Sequence, residues 1–155
     1  MIPAKTRTVL LTGATGFLGK VALFEMMRRK DELNIESVIL VVRARGPRSA
    51  VDRFRKDVVA TQAFAGLPDN WSDCVKILDG DLASADFGTS PADQALLATV
   101  THVIHSAAAV SFTLPSAVAA KANIAKRSHC IGRTGDSSVE TRSLTLGAQV
   151  TPQPG

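Results

Sequence analysis

The chain has 155 residues, 45% of them hydrophobic and 21% charged, with a formal net charge of +4 at pH 7. A chain of this length buries about two-thirds of its unfolded surface, enough for one domain with its own core. No apolar run approaches the roughly 18 to 20 residues of a membrane span, so a transmembrane segment is not expected, and the composition is that of an ordinary globular chain.

The opening MIPAKTRTVLL runs from basic residues into a short apolar stretch without the long apolar core or cleavage site of a signal peptide. It reads as a first strand over Thr8–Thr12. Directly after it, LLTGATGFLGK places Gly13, Gly16 and Gly19 at three-residue spacing. In a β-turn-α unit, the first glycine of such a loop permits a tight turn and the second lets backbone approach a pyrophosphate. The third lets the helix pack against the strand. Helix Phe17–Met27 is apolar apart from Lys20 and Glu25, which predicts broad packing against a sheet. Its N-terminus would aim N–H groups and the positive dipole end at phosphates. Thr15, Phe17 and Leu18 join the three glycines as candidate dinucleotide contacts.

A second strand, SVILVVR at 37–43, is apolar almost throughout, as a strand buried on both faces should be. An NAD-selective site usually has an acid at the end of this strand to accept from the ribose 2′-hydroxyl. Here the end reads VVRAR, and the nearest acid, Glu36, lies at the wrong end. Arg43, with Arg45 beside it, suits a 2′-phosphate, which selects NADPH. The other reading of these arginines is solvated charge in a turn. Basic residues continue through Arg48, Arg53, Arg55 and Lys56, but the stretch lacks interleaved exposed aromatics, so nucleic acid is not an expected partner. Ser49 with Asp52 opens a second helix as a capping box, with Val51, Phe54 and Val58 as its buried stripe.

Trp71 reads as a loop anchor and 74–78 as strand three. Gly80, Asp81 and Leu82 follow it, and Asp81 is either an acceptor for the adenine amino group or a turn residue. Ser90, Pro91 and Asp93 mark the start of a third helix. Strand four spans 101–107 and runs into HSAAAVSF, where Ala107, Ala108 and Ala109 are small enough for a cofactor to lie on backbone, or for close helix packing. His105 reads as a hydrogen-bonded strand-end residue rather than a base, and Ser106 and Ser111 have no evident partner for nucleophilic work. Cys74 and Cys130 have neither disulfide-framework nor zinc spacing, which fits a reducing compartment. The alternation of strands and helices predicts an α/β fold, a Rossmann-like doubly wound parallel sheet of about four strands. It occupies residues 1–125. Residues 126–155 are poor in apolar side chains and without persistent pattern, and are expected to form a poorly structured tail.

TGATGFLGK, VILVVRAR, ILDGDL and VIHSAAAVSF followed by AKANI resemble, in that order, the N-terminal part of the extended short-chain dehydrogenase/reductases. The likeness is to the fatty acyl-CoA reductase branch, with its male-sterility NAD-binding domain, and covers about residues 7 to 125. Lys20 and the arginine-rich second helix lean toward that branch. The thioester reductase domains of carboxylic acid reductases and nonribosomal synthetases share much of the pattern and are the alternative. The resemblance implies NADPH-dependent reduction of a long-chain acyl-CoA through a hemithioacetal and aldehyde to an alcohol. A Ser/Thr and Tyr-x-x-x-Lys set polarises and protonates the oxygen. Asn123 matches the asparagine of the family's N-I/V-x-G-T segment, a possible support position, but after Ala125 the chain reads KRSHC where Gly-Thr belongs. The chain has no tyrosine. No catalytic residue is therefore assigned, and the tail is expected to be foreign to the family, as in a truncated or mis-spliced product. A cytoplasmic fragment is expected, although the full-length family is tied to peroxisomal or endoplasmic reticulum membranes. A noncatalytic NADP-binding sensor or scaffold is the reading from another class.

Overall fold

Side chains alternate from face to face along a strand, so a strand buried on both sides must be apolar wherever it is covered. Arg7–Thr12 (β1) and Ile35–Val42 (β2) meet that requirement along most of their length in the computed structural model, which describes residues 6–82, 84–107 and 140–142. Val9, Leu11, Val38, Leu40 and Val42 enter one core layer, and Leu10, Ile39 and Val41 enter the other. With Val75–Asp79 (β3) and His102–His105 (β4) they form a parallel sheet in the order β3-β2-β1-β4. The expected Rossmann-like α/β architecture is present, and its strand order reverses direction between β1 and β4. Glu140–Arg142 (β5) adds a fifth parallel strand beside β4. The rest of the tail lies outside the described residues.

Phe17–Arg28 (α1) and Ala50–Phe54 (α2) cover the first layer, and Pro91–Leu97 (α3) covers the second. The composition of α1 predicts broad burial, but Phe17 is 85% and Val21 46% exposed. The helix turns Gly19, Leu23, Met26 and Met27 to the sheet, and residues 17 and 21 fall on the opposite side of the 100° wheel. The buried stripe of the second helix is corrected in the same way. Ala50, Phe54 and Val58 are buried at four-residue spacing, while Val51 is exposed. This helix also ends sooner than its pattern implies, passing into a π-helical turn over Arg55–Val59 in which Ala60 N–H donates to Arg55 O at 2.9 Å. Trp71 does anchor its loop, stacking on Phe64 at 4.9 Å between ring centroids.

The start of α3 is as its sequence indicates. Ser90 Oγ accepts from Asp93 N–H at 3.2 Å, and Asp93 Oδ2 accepts from Ser90 N–H at 3.2 Å, with Pro91 at the first helical position. This helix carries Leu97 into the second layer, so its cap matters to the core. Ser90→Ala is expected to cost about 1 kcal/mol in urea unfolding, the usual worth of an N-cap hydroxyl.

Candidate dinucleotide-binding site

The C-terminal ends of four parallel strands lie along one edge of the sheet, where open α/β sheets bind ligands at the point of strand-order reversal. The glycine loop occupies that point. Gly13 has φ +76°, and a Cβ built on it would lie 2.6 Å from Ala107 N and 2.7 Å from Ser106 C, so the ends of β1 and β4 approach backbone to backbone. Gly16 N–H donates to Gly13 O at 2.9 Å and closes the turn. A Cβ at Gly19 would lie 2.0 Å from that same carbonyl oxygen, so only glycine lets α1 start this close to the strand. Among the described residues no side chain caps α1, and its first turn holds no acid. The positive end of its dipole, with the N–H groups of the first turn, is thus left for an anion. Thr15 and Leu18 are half-buried around this turn, and Phe17 is exposed at its rim. The Cβ positions of Gly13 and Gly19 are taken up by neighbouring backbone, so these two glycines pack the turn against β4 and α1, while exposed Gly16 and the uncapped first-turn amides of α1 are the part with the chemistry to receive a pyrophosphate.

The same edge carries the arginine at the end of β2. Arg43 Nη1 lies 3.1 Å from Asp81 Oδ2, an ion pair whose side chains are 69% and 35% exposed. The two residues expected on the adenosine side of the pocket therefore meet across the ends of β2 and β3. Arg45 is exposed in a tight turn, its N–H and carbonyl paired with those of Arg48 at 3.0 and 3.2 Å. Leu82 is half-buried and packs against the second core layer. Gly80 is needed for close approach, since its Cβ would lie 2.7 Å from Phe87 O. Asp81 N–H donates to that carbonyl at 2.8 Å, so Asp81 also serves a turn.

Two residues at this edge escape a reading of the sequence. Arg53, on α2, donates from Nη1 to Arg43 O at 2.6 Å, and its Nη2 lies 3.5 Å from Thr15 Oγ1. Asp79, the last residue of β3, accepts from Ala44 N–H at 3.0 Å through Oδ1. Arg53 and Asp57 form an i,i+4 pair, Nε to Oδ2 at 3.5 Å. That pair is the available signal, but pairing along a helix does not say that the guanidinium turns back to the glycine loop.

At the end of β4, Thr12 Oγ1 and His105 Nδ1 are 2.7 Å apart and buried, and Ser106 Oγ donates to Thr12 O at 2.7 Å. His105 is the hydrogen-bonded strand-end residue expected of it, and these bonds hold β4 where Gly13 touches Ala107. Ala108, Ala109 and Asn123 lie outside the described residues. Among the described residues no group of three His, Cys, Asp or Glu side chains could hold a metal ion, and no helix is long and apolar enough to cross a membrane.

Residues 11–132 match the model of the family described as male sterility protein, an NAD-binding domain. The chain is 33% identical over 123 residues to a linear gramicidin synthase of Brevibacillus parabrevis, covering 79% of this chain and 2% of that one. It is 31% identical over 159 residues to the carboxylic acid reductase of Mycobacterium tuberculosis, covering 97% and 13%. It is also 31% identical over 110 residues to fatty acyl-CoA reductase 1 of Mus musculus, covering 68% and 21%. Among solved structures, the terminal R domain of the myxalamid PKS-NRPS pathway superposes with a TM-score of 0.67 at 26% identity, covering 92% of this chain and 34% of that one. The chain thus spans about a fifth or less of these three curated relatives.

Proposed function

Because the chain belongs to the male sterility protein family of NAD-binding domains, we propose that it forms the nucleotide-holding part of an NADPH-dependent reductase of acyl thioesters. The carrying observation is the Gly13–Gly16–Gly19 cradle at the strand-order reversal, with Arg43 at the neighbouring strand end. The amides of the turn and of the first turn of α1 would hold the pyrophosphate. Arg43 would take the 2′-phosphate through charge-assisted hydrogen bonds, and Asp81 would accept from the adenine amino group. When bound, the nicotinamide supplies hydride to the thioester carbonyl. The chain's own part is to orient the nucleotide. We assign it no acid, since it contains no tyrosine and His105 is tied to Thr12.

The likeness to a carboxylic acid reductase and to an assembly-line R domain supports the thioester reductase alternative over the fatty acyl-CoA reading. The 31% identity to a fatty acyl-CoA reductase keeps the latter as second reading. Lys20 and the basic second helix do not favour it, because both sit in the nucleotide-holding part and carry no information about the acyl group. Titration of the purified chain, followed by nicotinamide fluorescence, is expected to show NADPH binding at least about tenfold tighter than NADH, the worth of one charge-assisted hydrogen bond. No oxidation of NADPH is expected when acyl-CoA is added. Absence of binding by either nucleotide refutes the cradle, and turnover with acyl-CoA refutes the assignment of no acid.

A further inference from the structure

We propose that the peptide unit joining Arg43 to Ala44 is the element that sets nucleotide preference, and that Arg53 and Asp79 are its positioning residues. The inference rests on the reading of Arg43 as the 2′-phosphate partner. A peptide unit is rigid and planar, so its carbonyl and its N–H turn together. Here both are held by ionisable side chains from different elements. Arg53 Nη1 donates to the carbonyl at 2.6 Å from α2, and Asp79 Oδ1 accepts from the N–H at 3.0 Å from the end of β3. The preceding peptide is held as well, with Gly80 N–H donating to Val42 O at 3.2 Å. Arg43 is thus fixed on both sides of its Cα although it lies beyond the end of β2, where the ladder no longer constrains it. Its side chain leaves the backbone in one direction, toward Asp81.

Arg53 does more than hold one carbonyl. Its side chain is only 18% exposed, and its second amino group reaches Thr15 in the glycine turn at 3.5 Å. A largely buried guanidinium therefore spans the two places where phosphate is expected, the turn and the end of β2. Long, flexible Arg43 would otherwise lose considerable rotamer and backbone freedom on taking up a phosphate. A clamped peptide removes the backbone share of that cost before the nucleotide arrives. Only NADPH benefits, because only its 2′-phosphate draws on Arg43.

The test is the ratio of NADH to NADPH dissociation constants for Arg53→Ala, Arg53→Lys, Asp79→Ala and Asp79→Asn, measured by fluorescence titration of the full chain. Arg53→Ala and Asp79→Ala are each expected to lower the ratio about tenfold, because ordering the freed backbone of Arg43 then becomes a cost of taking up the 2′-phosphate. Asp79→Asn keeps an acceptor for Ala44 N–H and is expected to restore the ratio, and Arg53→Lys, which still donates to the carbonyl, to restore part of it. A purely structural role would weaken both nucleotides together and leave the ratio unmoved, and that result overturns the proposal. If Arg53→Ala fails to fold, the Asp79→Ala and Asp79→Asn pair decides by the same ratio. A wild-type chain that takes both nucleotides equally overturns the reading of Arg43 and the clamp with it. A selective wild type whose ratio survives Asp79→Ala and Arg53→Ala overturns the clamp alone.

Discussion

Gly19→Ala is expected to abolish nucleotide binding and to destabilise the fold by about 3 kcal/mol, the upper end for an overpacked contact. The new methyl carbon would lie 2.0 Å from Gly13 O, 2.6 Å from Gly13 C and 2.8 Å from Ala14 Cα. All three are backbone atoms, and no rotamer change can move them. Replacing glycine by alanine inside a helix ordinarily gains about 1 kcal/mol, so steric conflict and propensity oppose each other here and the conflict is the larger. Relief requires α1 to slide outward or the Gly13 turn to open, and either movement takes the first-turn amides away from the phosphate position. Gly16→Ala is the counterpart. Its Cβ would meet only Gly13 O at 3.3 Å and its φ is −81°, so only a small loss of stability is expected, while the added methyl stands where backbone is to approach the pyrophosphate and is expected to weaken NADPH binding in a chain that stays folded. Urea unfolding together with NADPH titration separates the two variants. A wild-type midpoint for Gly19→Ala would mean that α1 does not start against the turn.

The contrast between Gly16 and Gly19 shows what the sequence disclosed and what it withheld. Spacing identifies all three glycines, but only the fold ranks them, because a contact's cost depends on whether the opposing atom is backbone. The strands were legible since β1 and β2 are apolar along most of their length, and burial on both faces leaves no other choice. Ser90, Pro91 and Asp93 were legible because capping is a local event among adjacent residues. β5 was not, because three residues joined to a sheet by main-chain hydrogen bonds need no particular side chains. The exposure of Phe17 and Val21 is hidden for a related reason: an almost wholly apolar helix does not announce which side meets the sheet. Arg53 and Asp79 were hidden by distance. Arg53 is ten residues from Arg43 and Asp79 is 35 from Ala44, and only the parallel sheet brings these partners to one edge.

Arg43→Ala is expected to erase the preference for NADPH, raising its dissociation constant about 10- to 100-fold, as for loss of a hydrogen bond or pair to a charged phosphate. NADH affinity is expected to stay near that of the wild type, because its ribose offers the guanidinium only a neutral hydroxyl in place of a charged phosphate. The partnership with Asp81 sets the size of the effect. At 3.1 Å, with side chains 69% and 35% exposed, this ion pair contributes little on its own, since exposed pairs are worth at most about 1 kcal/mol and are screened by salt. A dianionic 2′-phosphate therefore competes with Asp81 for Arg43 at small cost, and the displaced carboxylate can turn toward adenine. Asp81→Asn separates the two functions. It removes the competing charge and keeps an acceptor, so NADPH should bind as well as to the wild type or better, and the gain should shrink as salt is raised. Arg43→Lys retains the charge without the planar fork and is expected to fall between the wild type and Arg43→Ala. Equal affinities of wild type and Arg43→Ala for NADPH would move the 2′-phosphate away from the end of β2.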